Sequence, residues 1–294
     1  MPSLSQAVKQ TLLYARFFNF PLTLEETHFW LISPKTYPLD RIKKYYQDQH
    51  PKQNRLIRNR LEQITAPKIA LAFQVAKFIR LIPTVRLIAL SGSVAIGNPE
   101  LDDDLDFLII TSPDTLWLTR LILIPFISLF FSRRQPHTFS PSPYHNHNHN
   151  TICLNLWLDE SALIIPASKQ NLYIAHEVLQ VKPIFDRGET YRQFILANSW
   201  TKKYLATAHE NIISRTTTSS FINVQCVAKR SPAKRDAMCN LKCKIINALN
   251  RFAYKIQRLY MRSRITTEVV TLHSAFFHPR DLSSTIDNFL LQKR

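Results

Sequence analysis

At 294 residues and 45% hydrophobic content, the chain can bury a sizeable core divided over two or three domains. Its formal charge of +17 asks for a polyanionic partner: nucleic acid, a nucleotide or an acidic membrane surface. Four cysteines in a chain of this size leave no need for a disulfide framework, and the N-terminus lacks a basic region followed by an apolar run, so a reducing cytoplasm is the expected setting.

Residues 4–18 carry apolar positions at helical spacing, and Asn19-Phe20-Pro21 ends that helix. Thr23-Leu-Glu-Glu26 is a capping box, which predicts a second helix running to about Ile32. Residues 39–48 predict a third. Three short helices and a small extended piece suggest a winged-helix-like module over residues 1–53, which either packs on the core or offers Arg41, Lys43 and Lys44 of its third helix to nucleic acid. Residues 54–81 form an amphipathic helical pattern with basic residues on the wet face, and Pro67 should kink or split it.

Leu87 to Leu90 is a continuous apolar run, as a buried central strand requires. Ser91-Gly92-Ser93 follows, and Gly97 closes a short helical stretch. The chain has only three glycines, so two within six residues mark a place where the backbone needs their freedom. Asp102 to Asp104 and Asp106 come next. Asp104 and Asp106 alternate with Leu105 and Phe107 as a new strand begins, which sets both carboxylates on one face.

Leu116 to Phe131 is strongly apolar but shorter than the roughly 20 residues a bilayer span needs, and it contains Arg120 and Pro125. It reads as a buried crossover helix. Membrane association through it and Arg133-Arg134 is the competing reading. His145, His147 and His149 alternate with asparagine in a low-complexity loop at 135–150 that binds metal weakly at best. Thr151 to Leu158 is a third apolar strand, and a strict two-residue period would place Cys153, Asn155, Trp157 and Asp159 on one face.

Beyond Pro166 the pattern is mostly helical. Helices are expected around 170–180, where His176 and Glu177 fall, and over 191–210. A flexible Ser/Thr-rich loop is expected from Ser214 to Pro232, and a long basic helix from Lys234 to Arg264. Cys239 and Cys243 share a helix face without a matching pair of finger-like spacing. Between Trp200 and Arg264 there are fourteen Lys or Arg against Glu210 and Asp236. Phe252, Tyr254 and Tyr260 stand among them, either as the buried stripe of an amphipathic helix or as platforms for RNA or DNA bases.

The chemistry concentrates between Leu87 and Ile110. Gly92 turns the chain sharply off a strand, and Ser93 opens a short helix whose free N–H groups, with its own hydroxyl, suit a phosphate. Asp104 and Asp106 suit one or two Mg²⁺ ions bridging a triphosphate.

The pattern Gly92-Ser93-x-Ala95-x-Gly97, a spacer of ten residues after Ser93, then Asp104-Leu105-Asp106-Phe107 resembles the signature of the DNA polymerase beta-like nucleotidyltransferase superfamily. The resemblance implies an α+β fold, with a small mixed sheet and flanking helices as the nucleotidyltransferase core over 54–165. The N-terminal module and a basic helical C-terminal region over 166–294 would be appended to it. It also implies Mg²⁺-dependent transfer of a nucleoside monophosphate from a nucleoside triphosphate to an unknown acceptor, with release of pyrophosphate. Phe20-Pro-Leu-Thr-Leu-Glu-Glu26, Leu116-Trp-Leu-Thr-Arg120, Ile152-Cys-Leu-Asn155 and Phe276-Phe-His-Pro279 are also similar to an uncharacterised bacterial set that implies no substrate. The superfamily supplies a third carboxylate from a neighbouring strand. Here Asn155 holds the position and Asp159 holds the charge, so either is the third metal ligand, or the chain binds nucleotide or nucleic acid without catalysis.

Overall fold

The computed structural model describes residues 3–47, 51–131, 151–223, 237–262, 269–277 and 282–292. Its centre is an open, mixed, six-stranded sheet flanked by helices, an α+β arrangement. The strands are β1 (Val85–Ser91), β2 (Leu105–Thr111), β3 (Ile152–Asp159), β4 (Lys182–Asp186), β5 (Val269–Val270) and β6 (Ser274–Phe276), in the spatial order β4-β1-β2-β3-β6-β5. Only β2 and β3 run parallel; β1 is antiparallel to both β2 and β4, and β6 to β3 and β5. The connection between the parallel pair carries a helix, as parallel strands require.

The stretch expected to be mostly helical after Pro166 therefore supplies three of the six strands. They are short, and their sequence carries little alternation to betray them. Pro183 is tolerated because β4 is an edge strand, where a missing N–H breaks no ladder.

Eleven α-helices are described: α1 (Leu4–Phe17), α2 (Leu24–Phe29), α3 (Leu39–Lys43), α4 (Pro51–Ile79), α5 (Gly92–Ile96), α6 (Leu116–Phe130), α7 (Leu172–Gln180), α8 (Thr190–Ala197), α9 (Lys202–Asn223), α10 (Ala237–Met261) and α11 (Ser283–Gln292). The Thr23 capping box forms as expected, with Glu26 N–H donating to the Thr23 hydroxyl and Thr23 N–H to the Glu26 carboxylate. Ser3 and Gln6 make a second such box at the start of α1.

Alternation along the central strands divides the core. Leu87, Ala89, Leu108, Ile110 and Leu158 pack under α1, α7, α8, α9 and α11. Ile88, Leu90, Phe107, Ile109 and Trp157 pack under α4, α6 and α10. The N-terminal module has a small core of its own, centred on Leu31 and Ile42.

Of the two outcomes open at Pro67, the split does not occur: α4 runs as one helix to Ile79, with Ala72, Val75, Ala76 and Ile79 buried against the sheet. Two other expectations need correction. The helix expected over 191–210 breaks at Asn198, whose buried side chain accepts from Ile165 N–H and Trp200 Nε1 and donates to the Leu163 and Phe194 carbonyls. The expected loop at 214–232 is helical as far as Asn223. Within α9, Leu205 leaves helical geometry to bridge Ser33 of the N-terminal module: Ser33 N–H donates to Tyr204 C=O at 2.7 Å, and Ala206 N–H to Ser33 C=O at 3.0 Å. His145, His147, His149, Arg133, Arg134 and Cys226 lie outside the described residues, as do the side chains of Cys239 and Cys243.

The N-terminal module also meets the core through His176 of α7, whose ring stacks on Tyr14 at 4.1 Å between centroids. Burial lowers the pKa of this histidine to about 3, and its Nε2 has no hydrogen-bond partner. Between pH 6.5 and 3 the unfolded chain binds a proton at this position that the native state excludes, so its contribution to stability falls as pH falls through that window. Replacing it by an uncharged ring removes this effect. The stability of wild type relative to His176→Phe should decline by about 1.4 kcal/mol for each pH unit below about 6. Urea titrations of both proteins between pH 7 and pH 4 test this; parallel curves would refute it.

Candidate phosphate and metal site

β1 and β2 are paired so that Ser91 stands opposite Asp106, and the chain leaves β1 directly over that carboxylate. Gly92 has φ of +66°, and a Cβ there would lie 2.7 Å from Asp106 Oδ2. Two separate requirements thus select glycine: a left-handed backbone and a close approach to a carboxylate. The turn opens the five-residue α5, which Gly97 closes in the left-handed conformation at φ of +78°, with open space where a Cβ would stand.

The acidic stretch returns alongside. Ser93 Oγ donates to Asp103 Oδ2 at 2.6 Å, and Glu100 N–H donates to the same oxygen at 2.9 Å. Asp103 is therefore a fixed part of the turn rather than a solvated residue, and it holds the Ser93 hydroxyl. Lys68 of α4 donates from Nζ to the carbonyls of Leu101 at 3.0 Å and Asp103 at 2.6 Å. It is almost wholly buried, contrary to the expectation that the basic residues of this helix are wet. Burial lowers its pKa, against the pull of Asp103, Asp104 and Asp102. The sequence did hold a signal: Lys68 occupies the stripe that continues as Ala72, Val75 and Ile79.

Asp104 and Asp106 are carried to the rim of the sheet, facing β3. Thr151 Oγ1 donates to Asp104 Oδ1, and Asn155 Nδ2 donates to Asp106 Oδ1. Cys153 Sγ donates to Asn155 Oδ1 at 2.6 Å. Gly92, Asp106 and Asn155 are thus gathered at one point, with Ser93 and Asp104 beside it. Asn155 presents its NH₂ to the carboxylate and turns its oxygen toward Cys153.

Asp159 is elsewhere. Asp106 pairs with Cys153 but Leu108 pairs with Leu156, so β3 carries one more residue than β2 between these points. This bulge breaks the two-residue period, and Trp157 packs on the face opposite Leu156 and Leu158. Asp159 pairs with Thr111, roughly 13 Å of strand beyond Asn155. It is fully buried, accepting from Ser161 N–H and Oγ on one oxygen and from Asp114 N–H and His273 Nδ1 on the other. Asp114, Asp159 and His273 offer ligand atoms within 4.8 Å of one another, so this cluster has the donors for a cation. As it stands its hydrogen bonds tie the β2–α6 loop, the end of β3 and the β5–β6 hairpin together.

Glu177 of α7 was placed on its helix by the sequence but not at this site. It lines a cavity of about 90 Å³ with Ser91, Asn155, Lys169 and Tyr173, and burial raises its pKa to about 7. No local pattern connects position 177 to position 106. A larger cavity of about 410 Å³ lies across α7, among Tyr14, Phe18, Phe29, Trp30 and His176, and touches none of Gly92, Ser93, Asp104 or Asp106.

The two glycines make different predictions. Gly97→Ala should cost about 1 kcal/mol through its backbone alone. Gly92→Ala should displace Asp106 as well and abolish any function of the carboxylate pair; equal behaviour of the two variants would contradict the geometry. Asp159→Ala should lower stability by about 2 kcal/mol in urea melts, because it removes a fully buried acceptor of four hydrogen bonds, while leaving Asp104 and Asp106 undisturbed. No family model matches the chain, and no curated protein matches it.

Proposed function

We propose that the protein is a Mg²⁺-dependent nucleotidyltransferase, moving a nucleoside monophosphate from a nucleoside triphosphate to an acceptor and releasing pyrophosphate. One observation carries the reading. The turn at Gly92 packs against the Asp106 carboxylate at a distance only glycine permits, so the backbone that would face a phosphate lies beside a carboxylate that would face a metal. Asp104 and Asp106 are hard oxygen donors of the kind Mg²⁺ takes, and they would hold it. When bound, the ion would neutralise the triphosphate and stabilise the entering and leaving oxygens.

The chain's own residues have defined tasks in this reading. Thr151 and Asn155 orient the two carboxylates. Lys68 holds the Leu101–Asp103 backbone, which keeps four neighbouring aspartates from spreading apart. Ser93 exchanges its bond to Asp103 for one to a phosphate oxygen. An acceptor oxygen forms a bond to the α-phosphorus, the bond to the bridging oxygen of pyrophosphate breaks, and the acceptor's proton is lost to water.

A second reading, nucleotide binding without transfer, is favoured by the amide of Asn155 where a third carboxylate is expected. The two readings separate in one experiment. The protein is incubated with Mg²⁺, each labelled nucleoside triphosphate and candidate acceptors including RNA, while pyrophosphate release and label transfer are followed. Transfer that falls at least a hundredfold in the Asp104→Ala, Asp106→Ala double variant is the expected result. Mg²⁺-dependent thermal stabilisation by nucleotide without transfer would support the second reading. Wild type and double variant behaving identically in both assays would dismiss both.

A further inference from the structure

α10 is docked with a broad aliphatic stripe outward. The side that meets the protein buries Asn250, Ala253, Gln257 and Met261, with Tyr254 packed against Trp117. Asn250 Oδ1 accepts from the N–H groups of Trp117 at 2.8 Å and Leu118 at 3.1 Å, capping the start of α6 from a distant part of the chain. Gln257 Nε2 donates to Trp117 C=O at 2.8 Å, and Arg120 donates to Gln257 Oε1 at 2.6 Å. These bonds fix which face of α10 is inside. The outward face carries Ile245, Leu249, Phe252, Ile256 and Leu259, all exposed, with Leu259 at 73%. On a helix of 3.6 residues per turn these five fall within a stripe roughly 80° wide. Tyr260 lies at its edge, 65% exposed.

Lys244, Arg251, Lys255, Arg258 and Arg262 are exposed along one flank of the stripe, and Ala237–Arg262 contains no acidic residue. α6, against which α10 packs, adds exposed Leu121, Ile122, Leu129 and Phe130. Apolar exposure on two neighbouring elements exceeds what a solvated surface normally shows. No described helix is long and apolar enough to cross a membrane.

We infer that α10 lies on an anionic lipid surface, its Ile/Leu/Phe stripe entering the boundary between headgroups and acyl chains and its flanking cations engaging lipid phosphates or carboxylates. A large apolar face beside Lys and Arg, on a helix too polar to span, is the composition of an interfacial helix. Nucleic acid suits the cations but gives the aliphatic stripe nothing to enter. A second copy of α10 suits the stripe but sets five cations against five. The inference stands independently of the proposed transfer activity.

The test is co-sedimentation of the full chain with vesicles of phosphatidylcholine alone or mixed with phosphatidylglycerol. Strong binding to the mixed vesicles only is expected. Binding should weaken at least tenfold in Leu249→Gln, Leu259→Gln and, separately, in Lys255→Glu, Arg258→Glu. All four positions are exposed, so circular dichroism and melting temperature should match wild type. Either variant binding mixed vesicles as wild type does overturns the inference, as does a wild-type failure to bind them. It is equally overturned by a wild-type dimer that the Leu249→Gln, Leu259→Gln variant dissociates, for the stripe is then a subunit contact.

Discussion

The close approach of Gly92 to Asp106 is the constraint around which the centre of this protein is arranged. Once Ser91 pairs with Asp106, the residue after Ser91 passes over the carboxylate, and a side chain there would press on a carboxylate oxygen. The same pairing leaves Asp104 beyond the end of the ladder, at the mouth of the turn. The backbone and the acidic residues cannot be placed independently; fixing one fixes the other.

Holding so many carboxylates together needs countermeasures, and the surroundings supply them in different ways. Asp103 is neutralised in effect by donors, Ser93 Oγ and Glu100 N–H. Asp104 takes a neutral donor from Thr151, just before β3, and Asp106 one from Asn155 within it. Lys68 binds the backbone carbonyls of Leu101 and Asp103, and its charge is felt by Asp103, Asp104 and Asp102.

How much of this was legible depends on the range of the interaction. The Thr23 capping box and the glycine turn are local, and their residues announced them. Strand β2, with its Asp-x-Asp entry, was readable because alternation is a local property too. The bulge in β3 was not: Ile152 to Asp159 reads as one regular strand, and only the register against β2 displaces Trp157 and Asp159 from the face of Asn155. Strands β4, β5 and β6 have five, two and three residues, too few for a period to emerge. At Pro67 a local rule left a kink or a split open, and burial on both sides of it keeps the helix in one piece. Glu177 and the outward stripe of α10 depend on tertiary docking. The stripe itself was visible as amphipathicity, but which face of the helix meets the protein is decided by Asn250 and Gln257, polar residues that periodicity assigns to solvent.

The order of strands carries a consequence for how the chain is made. β1, β2 and β3 leave the ribosome early, yet β1 gains its outer neighbour only with residue 182, and β3 only with residue 274. Until then the three-stranded centre has two bare edges with unpaired N–H and C=O groups, the condition under which nascent chains join to one another. Residues far from the carboxylates in sequence thus act as guards of the sheet that bears them, and a chain interrupted after residue 200 would carry the whole acidic cluster on a sheet still open along one side.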